Sequence, residues 1–219
     1  MDRRDKLKSS LGTFLRALCD LMILNLMWII CCLPVFTFGP ASSALSRVEI
    51  KLVRGESPAV IKEYVSSFRR DFWKAVILGL LGLFGIVVVI SDYLFAVSLE
   101  GGMRIVFLIV AILVGSIVAS YLAYVFCLHA FYENSISGHI RNSLALASSM
   151  PLETLKIWIC FAVPAVAVLL LPPVAVAYLG SLYVLLAVSA PAWFAAKQQT
   201  KVLARFDSTQ NTNEHPDED

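Results

Sequence analysis

The side chains that could do chemistry are few, and most stand in apolar surroundings. His129 and His139 are ten residues apart, and Glu133 follows the first by four. A histidine and a carboxylate at that spacing share a helix face and could relay a proton, since imidazole titrates near neutral pH. They have no neighbouring cluster of metal-ligand spacing. His129 also lies near the end of an apolar run, where an interfacial histidine is the plainer reading. Asp20, Asn25 and Asp92 are the polar groups that qualify inside the long apolar stretches, and Asp92 falls near the outer end of its stretch. The five cysteines, Cys19, Cys31, Cys32, Cys127 and Cys160, form no CxxC pair and read as small buried hydrophobes. No GxxxxGK[ST], GxSxG or HExxH occurs. With no paired carboxylates, activated nucleophile or metal cluster, the chain is expected to be no enzyme and to need no cofactor. Nothing points to nucleic acid.

A different constellation surrounds a helix break. Residues 33–40 read LPVFTFGP, with Pro34 and Pro40 bracketing and Gly39 before the second proline. Proline lacks an amide donor and disfavours helix in the residue before it. A helix should stop here and a new one start at Pro40. Broken helices expose free amides and carbonyls, which transporters use to hold solutes and ions. The candidate residues are therefore Asn25, Trp28, Pro34, Thr37, Gly39, Pro40, Ser42 and Ser43. The competing reading is a tight proline–glycine hairpin that only fixes the fold. A second candidate surface, for a partner or for lipid, is Phe68, Arg69, Arg70 and Phe72.

The elements that must position these residues are helices in a bilayer. Of 219 residues, 58% are hydrophobic and 16% charged, against about half and a quarter in soluble domains. The excess sits in runs near the ~20 residues that a crossing helix needs. A first span covers 11–33, with Arg16 and Asp20 paired at i+4. A helix from Pro40 to before Gly55 puts Ala41, Ala44, Leu45, Val48 and Leu52 on one face and Arg47, Lys51 and Arg54 on another. Residues 57–74 read as an amphipathic interfacial helix, capped by Ser57, with Pro58 in its first turn and a stripe of Ile61, Tyr64, Val65, Phe68 and Phe72. Spans follow at 75–99, thinned by Gly79, Gly82 and Gly85, and at 105–128, with Gly115, Ala119 and Ala123. Small residues at such spacing let helices approach closely in lipid. A short helix lies in 133–155. The 40 residues of 157–196 carry no charge and are too long for one crossing. Pro172-Pro173 and Gly180-Ser181 mark a hairpin of two spans.

The fold class is thus all-α: a polytopic transmembrane bundle of five full spans plus a proline-broken return or interfacial helix. Residues 1–206 form one domain, and 207–219 are an acidic disordered tail. Of eighteen Lys and Arg residues, only Arg104 lies near the turn at 100 and none near 175. The positive-inside rule puts the N-terminus, 47–74, 141–156 and 197–205 in the cytoplasm. That demands an even number of crossings before residue 47. A hairpin in which 34–40 and helix 41–54 return across the membrane meets it; five plain spans with an external N-terminus strain the charge rule.

The block Asn25-Leu26-Met27-Trp28, Cys32-Leu33-Pro34-Val35-x-Thr37-x-Gly39-Pro40-Ala41 and Ala44-Leu45, with Val53-Arg54-Gly55-Glu56 and Phe68-x-x-x-Phe72, resembles the signature of the YesL proteins, the domain of unknown function 624. This family usually has aromatics where the chain has Ser46 and Arg47. The resemblance implies a small bacterial plasma-membrane protein without an assigned reaction, whose relatives' genes often lie beside carbohydrate uptake systems. The expected function is a non-catalytic accessory or partner of carbohydrate (ABC-type) uptake. It would contact the bilayer and an importer permease or a second copy of itself. The alternative is a stand-alone small-solute carrier or channel.

Overall fold

The computed structural model describes residues 3–170 and 189–214, with side chains over 15–162 and 191–204. Helices and short connecting loops make up those residues, with no strand among them. The helices are α1 (Arg3–Cys31), α2 (Phe38–Val53), α3 (Val60–Arg69), α4 (Phe72–Ser98), α5 (Gly101–Phe131), α6 (Ile136–Ser149), α7 (Pro151–Leu170) and α8 (Ser189–Glu214). Two of them, α4 and α5, are long and apolar enough to cross a membrane, and the bent pair α6–α7 adds a third if taken as one span, turning by 103°. These lengths make the chain a helical membrane protein. The hairpin turn expected near 172–181 and the end of the tail at 215–219 lie outside the described residues.

Several boundaries differ from the sequence reading. The break lies earlier than 34–40: α1 ends at Cys31 and α2 begins at Phe38, with residues 32–34 and the 3-10 turn Val35–Thr37 between them. Helix α2 begins at Phe38, so Gly39 and Pro40 sit inside its first turn. Proline fits there because the first amides of a helix have no intrahelical acceptor. Helix α2 ends on Gly55 (φ 80°). The Glu56 amide reaches the Lys51 carbonyl and the Gly55 amide that of Leu52, the paired bonds of a Schellman stop. Helix α3 is ten residues long and starts after Ser57 and Pro58, with Ala59 as its N-cap. It ends at Arg69, because Arg70 is extended and Asp71 takes φ 47° at the corner into α4. At its far end, α8 continues eight residues beyond the tail boundary at 207. No Pro or Gly interrupts 192–214.

Helix α2 is the hub. It packs against α1, α3, α4, α5 and α8. Its expected face is confirmed: Ala44, Leu45 and Val48 join Leu24 of α1 and Val60 and Tyr64 of α3 in one buried cluster. Ile50 belongs to a second cluster with Tyr124, Cys127 and Leu128 of α5, Ile157 of α7, and Ala195, Ala196 and Leu203 of α8. The stripe expected on α3 divides. Tyr64 is fully buried, whereas Ile61 is 58% exposed and Val65 is exposed too.

The glycines of α4 serve two neighbours. Gly79 meets Gly39 of α2, while Gly82 and Gly85 face Leu122 and Val118 of α5. Gly115 of α5 faces Val89 in turn. Small residues on these faces therefore do bring the backbones together. The cysteines are free, and only Cys127 is buried; Cys19 is exposed and the other three are intermediate, so the small-hydrophobe reading fits one of five.

Candidate functional site

The break is held by its own side chains. The Thr37 hydroxyl faces the carbonyls of Cys31 and Pro34, both 2.5 Å away. The Thr37 amide also donates to Pro34 at 2.9 Å. A carbonyl left open by the end of α1 is thereby satisfied. Trp28 Nε1 donates to Ser42 Oγ at 3.2 Å, tying α1 to α2. Ser43 Oγ donates to the Phe126 carbonyl at 3.4 Å, tying α2 to α5. Phe38 stacks edge-on with Trp28 at 6.2 Å and with Phe126 at 5.5 Å. Gly39 lies so close to α4 that a Cβ there would fall 1.9 Å from the Ala75 carbonyl oxygen.

The candidates Trp28, Thr37, Gly39, Pro40, Ser42 and Ser43 are thus brought together where α1, α2, α4 and α5 meet. Asn25 is fully buried one turn earlier on α1, and Pro34 is exposed at the turn's outer edge. The hydroxyls of Thr37 and Ser43 are directed to backbone carbonyls, and that of Ser42 receives the Trp28 indole. This arrangement locks helices together.

The second candidate surface splits. Phe68 packs onto the α1–α2–α3 cluster and lies 5.6 Å edge-on from Phe72. Arg69 is exposed. Arg70 Nη2 reaches Glu133 Oε1 at 3.1 Å, joining the α3–α4 corner to the α5–α6 loop. That ion pair also corrects the proposed His129–Glu133 relay. His129 instead stands 5.3 Å edge-on from His139, both rings buried, and its Nδ1 has no hydrogen-bond partner among the described residues. The loop turns Glu133 away from the helical i+4 position, since α5 ends at Phe131.

The basic ridge of α2 is turned to acid and aromatic groups. Arg47 Nε and Lys51 Nζ converge on Glu63 Oε1 of α3 at 2.8 and 2.9 Å. These hydrogen bonds, Lys51 first, hold the Glu63 carboxyl below the usual range. Arg47 also donates to the Ala130 carbonyl, and Arg54 lies 5.0 Å over the Phe131 ring.

Sequence reasoning passed over Glu49, the most unusual group of the region. It shares a face of α2 with Ser42 and Ser46 at i, i+4 and i+7 spacing. It is 1% exposed, and its Oε1 has no hydrogen-bond partner among the described residues. Burial alone pushes its carboxyl well above the ordinary range. The available signal was a lone acid between Val48 and Ile50 on a helix whose bases had been counted. Gln199 of α8 was missed as well; its amide donates to the Ala123 carbonyl at 2.6 Å inside the bundle.

No curated protein and no solved structure matches the chain. Residues 21–93, from the second half of α1 through most of α4, match the model of the family described as Protein of unknown function, DUF624, and so the block that locks α1, α2 and α4 together carries this family's pattern.

Proposed function

We propose that this chain is a non-catalytic multi-pass protein of the bacterial plasma membrane that serves as an accessory or partner of a carbohydrate (ABC-type) importer. One observation carries the non-catalytic part: at the break, Trp28, Thr37 and Ser43 are turned to internal hydrogen bonds. The outer halves of α4 and α5 supply a contact surface. Phe84, Val87, Ile90, Ile105, Ile109 and Ile112 are exposed there and suit lipid or another membrane helix. The resemblance to the YesL proteins supplies the importer as that helix's source. Charge placement supports cytoplasmic N- and C-termini, with α4 and α5 as one outward hairpin.

Gentle cross-linking in native membranes, followed by mass spectrometry, tests the partner. Reproducible recovery of an importer subunit, lost on substitution of Ile109 and Ile112 by Ala, is the expected result. Recovery of the chain only with itself would overturn it. The second reading, a stand-alone small-solute carrier, is favoured by Glu49, because buried carboxyls without partners recur on proton and ion routes.

A further inference from the structure

We propose that the α1–α2 hairpin does not cross the membrane. It dips into the cytoplasmic leaflet and returns, and its apolar tip and one stripe of α1 are a lipid-contact surface. The argument starts from the register of α4 and α5, which gives a depth scale. Gly82 faces Leu122, Gly85 faces Val118, and Phe95 stacks on Phe107 at 5.0 Å. The two helices are antiparallel, and Phe72 is level with the end of α5. Trp73, Lys74, Arg70 and Glu133 gather at this end, an aromatic and charged belt suited to the cytoplasmic interface. From Ala75 to Ser98 is 23 steps, ~35 Å at ~1.5 Å each, enough to cross a ~30 Å core with some tilt.

Helix α2 is placed on this scale by its bonds. Gly39 touches Ala75 and Gly79, Ser43 bonds Phe126, Arg47 bonds Ala130, and Arg54 covers Phe131. Four steps along α2 match four steps along α5, so the two run side by side toward the cytoplasm. At Arg47 α2 has reached the end of α5. From Phe38 to Arg47 is nine steps, ~14 Å, less than half of the core. The break therefore lies at a shallow level of the inner leaflet.

Helix α1 turns back from that level. Trp28 bonds Ser42, and Leu24, four residues earlier, packs with Ala44 and Val48. Its side toward α2 is filled. On its other side Leu26 and Ile30 are exposed at i and i+4 spacing, while Leu15 and Cys19, exposed on the same side, lie on the cytoplasmic side of the level that Leu24 and Val48 mark. The stripe continues into the tip, where Leu33 is 76% and Val35 68% exposed. The occupant is the acyl region of the cytoplasmic leaflet. The tip packs against α4, whose Ile77, Leu80 and Leu81 are exposed, and the exposed Arg69, Arg70 and Lys74 gather at the α3–α4 corner, where cations meet anionic headgroups. A dip gives zero crossings before residue 47, which satisfies the charge rule without a return span. It replaces the expected crossing at 11–33.

The inference rests on the membrane orientation and not on any partner. Its test uses the full chain in intact cells and in isolated membranes. A membrane-impermeant maleimide is applied from outside to Gly102→Cys and Leu33→Cys chains, and labelled sites are read by mass spectrometry. The expected result is labelling at position 102 but not at Cys31, Cys32 or position 33, with residues 33–36 labelled on illumination by a diazirine carried on a phospholipid acyl chain, whose carbene inserts into C–H bonds and needs no thiolate. Labelling at 31–33 from outside at a rate within about threefold of position 102 would overturn the dip. Residues 33–36 left unlabelled by the lipid-borne diazirine would overturn the lipid contact. Absence of label at 102 would overturn the orientation, and the proposal with it. The native Cys31 and Cys32 give the outside readout in the unsubstituted chain, should Leu33→Cys fail to fold.

Discussion

Replacing Gly39 by Ala drives a methyl group into the backbone of α4. Its Cβ would lie 1.9 Å from the Ala75 carbonyl oxygen, 2.8 Å from the Ala75 carbonyl carbon and 3.0 Å from Gly79 Cα. Ordinary contact begins near 3.4 Å, so α2 and α4 must separate by about 1.5 Å, the difference between 3.4 and 1.9. Neither backbone can rotate out of the way, as a side chain can. The separation also pulls Phe38 from Phe126 and Ser43 from the Phe126 carbonyl. Overpacking costs typically 1–3 kcal/mol, and a backbone clash belongs at the upper end, about 3 kcal/mol. For a chain of this size that is a fall in Tm of about 6–12 °C. Gly82→Ala is the control. There the nearest atom is Leu122 Cδ2 at 2.7 Å, the far end of a flexible side chain. Its rotation costs about 1 kcal/mol or less, and alanine regains about 1 kcal/mol of helix propensity, so the net change is near zero. Thermal unfolding of both variants in the same mild detergent, followed by loss of the monodisperse peak in size-exclusion chromatography, reads the difference. A Gly39→Ala chain as stable as Gly82→Ala would refute the close approach of α2 to α4.

Three further outcomes are expected. Glu63→Gln removes the carboxylate shared by Arg47 and Lys51 and should lower stability at pH 7 by about 1–2 kcal/mol. Because the folded carboxyl lies below its unfolded value, this contribution is present above the ordinary glutamate range and lost as pH falls through the folded value. Wild type and variant should therefore converge below about pH 4, and a gap of constant size from pH 7 to pH 3 would contradict it. Glu49→Gln should act in the opposite sense: a carboxyl raised by burial destabilises increasingly as pH climbs from its unfolded value to its folded one. The glutamine chain should be at least as stable as wild type at pH 8, and a variant that unfolds there would show that the carboxylate has a charged partner. Trp28→Phe keeps the ring and loses the bond to Ser42, so Tm should fall by about 2–4 °C, for ~1 kcal/mol, and an unchanged Tm would deny that bond a role.

Much of the architecture was legible because lipid leaves few options. Apolar length gave α4 and α5, glycine spacing gave their contact, and the Gly55 stop marked the end of α2. What escaped was set by tertiary partners. Pro40 looks like a helix start in the chain, yet the first turn of α2 tolerates it two residues in. Ser57 and Pro58 have the chemistry of a helix start, but α3 begins only at Val60. In the candidate site, Trp28, Thr37, Gly39, Pro40, Ser42 and Ser43 come together around the break. Their directions were not readable, because Thr37 could equally have faced a solute or the carbonyls of Cys31 and Pro34. Glu49 was hidden for the converse reason. Acids among bases on an amphipathic helix ordinarily reach water, and only the packing of α2 against five neighbours buries this one.

The most direct test is solute uptake by vesicles that contain the purified chain alone, compared with protein-free vesicles of the same lipid. A break whose hydroxyls are closed onto backbone carbonyls should give no uptake of monosaccharide, disaccharide or sodium above the lipid background. Saturable uptake of any of these, abolished by Glu49→Gln in a chain that remains folded, would contradict the accessory role and establish the carrier in its place.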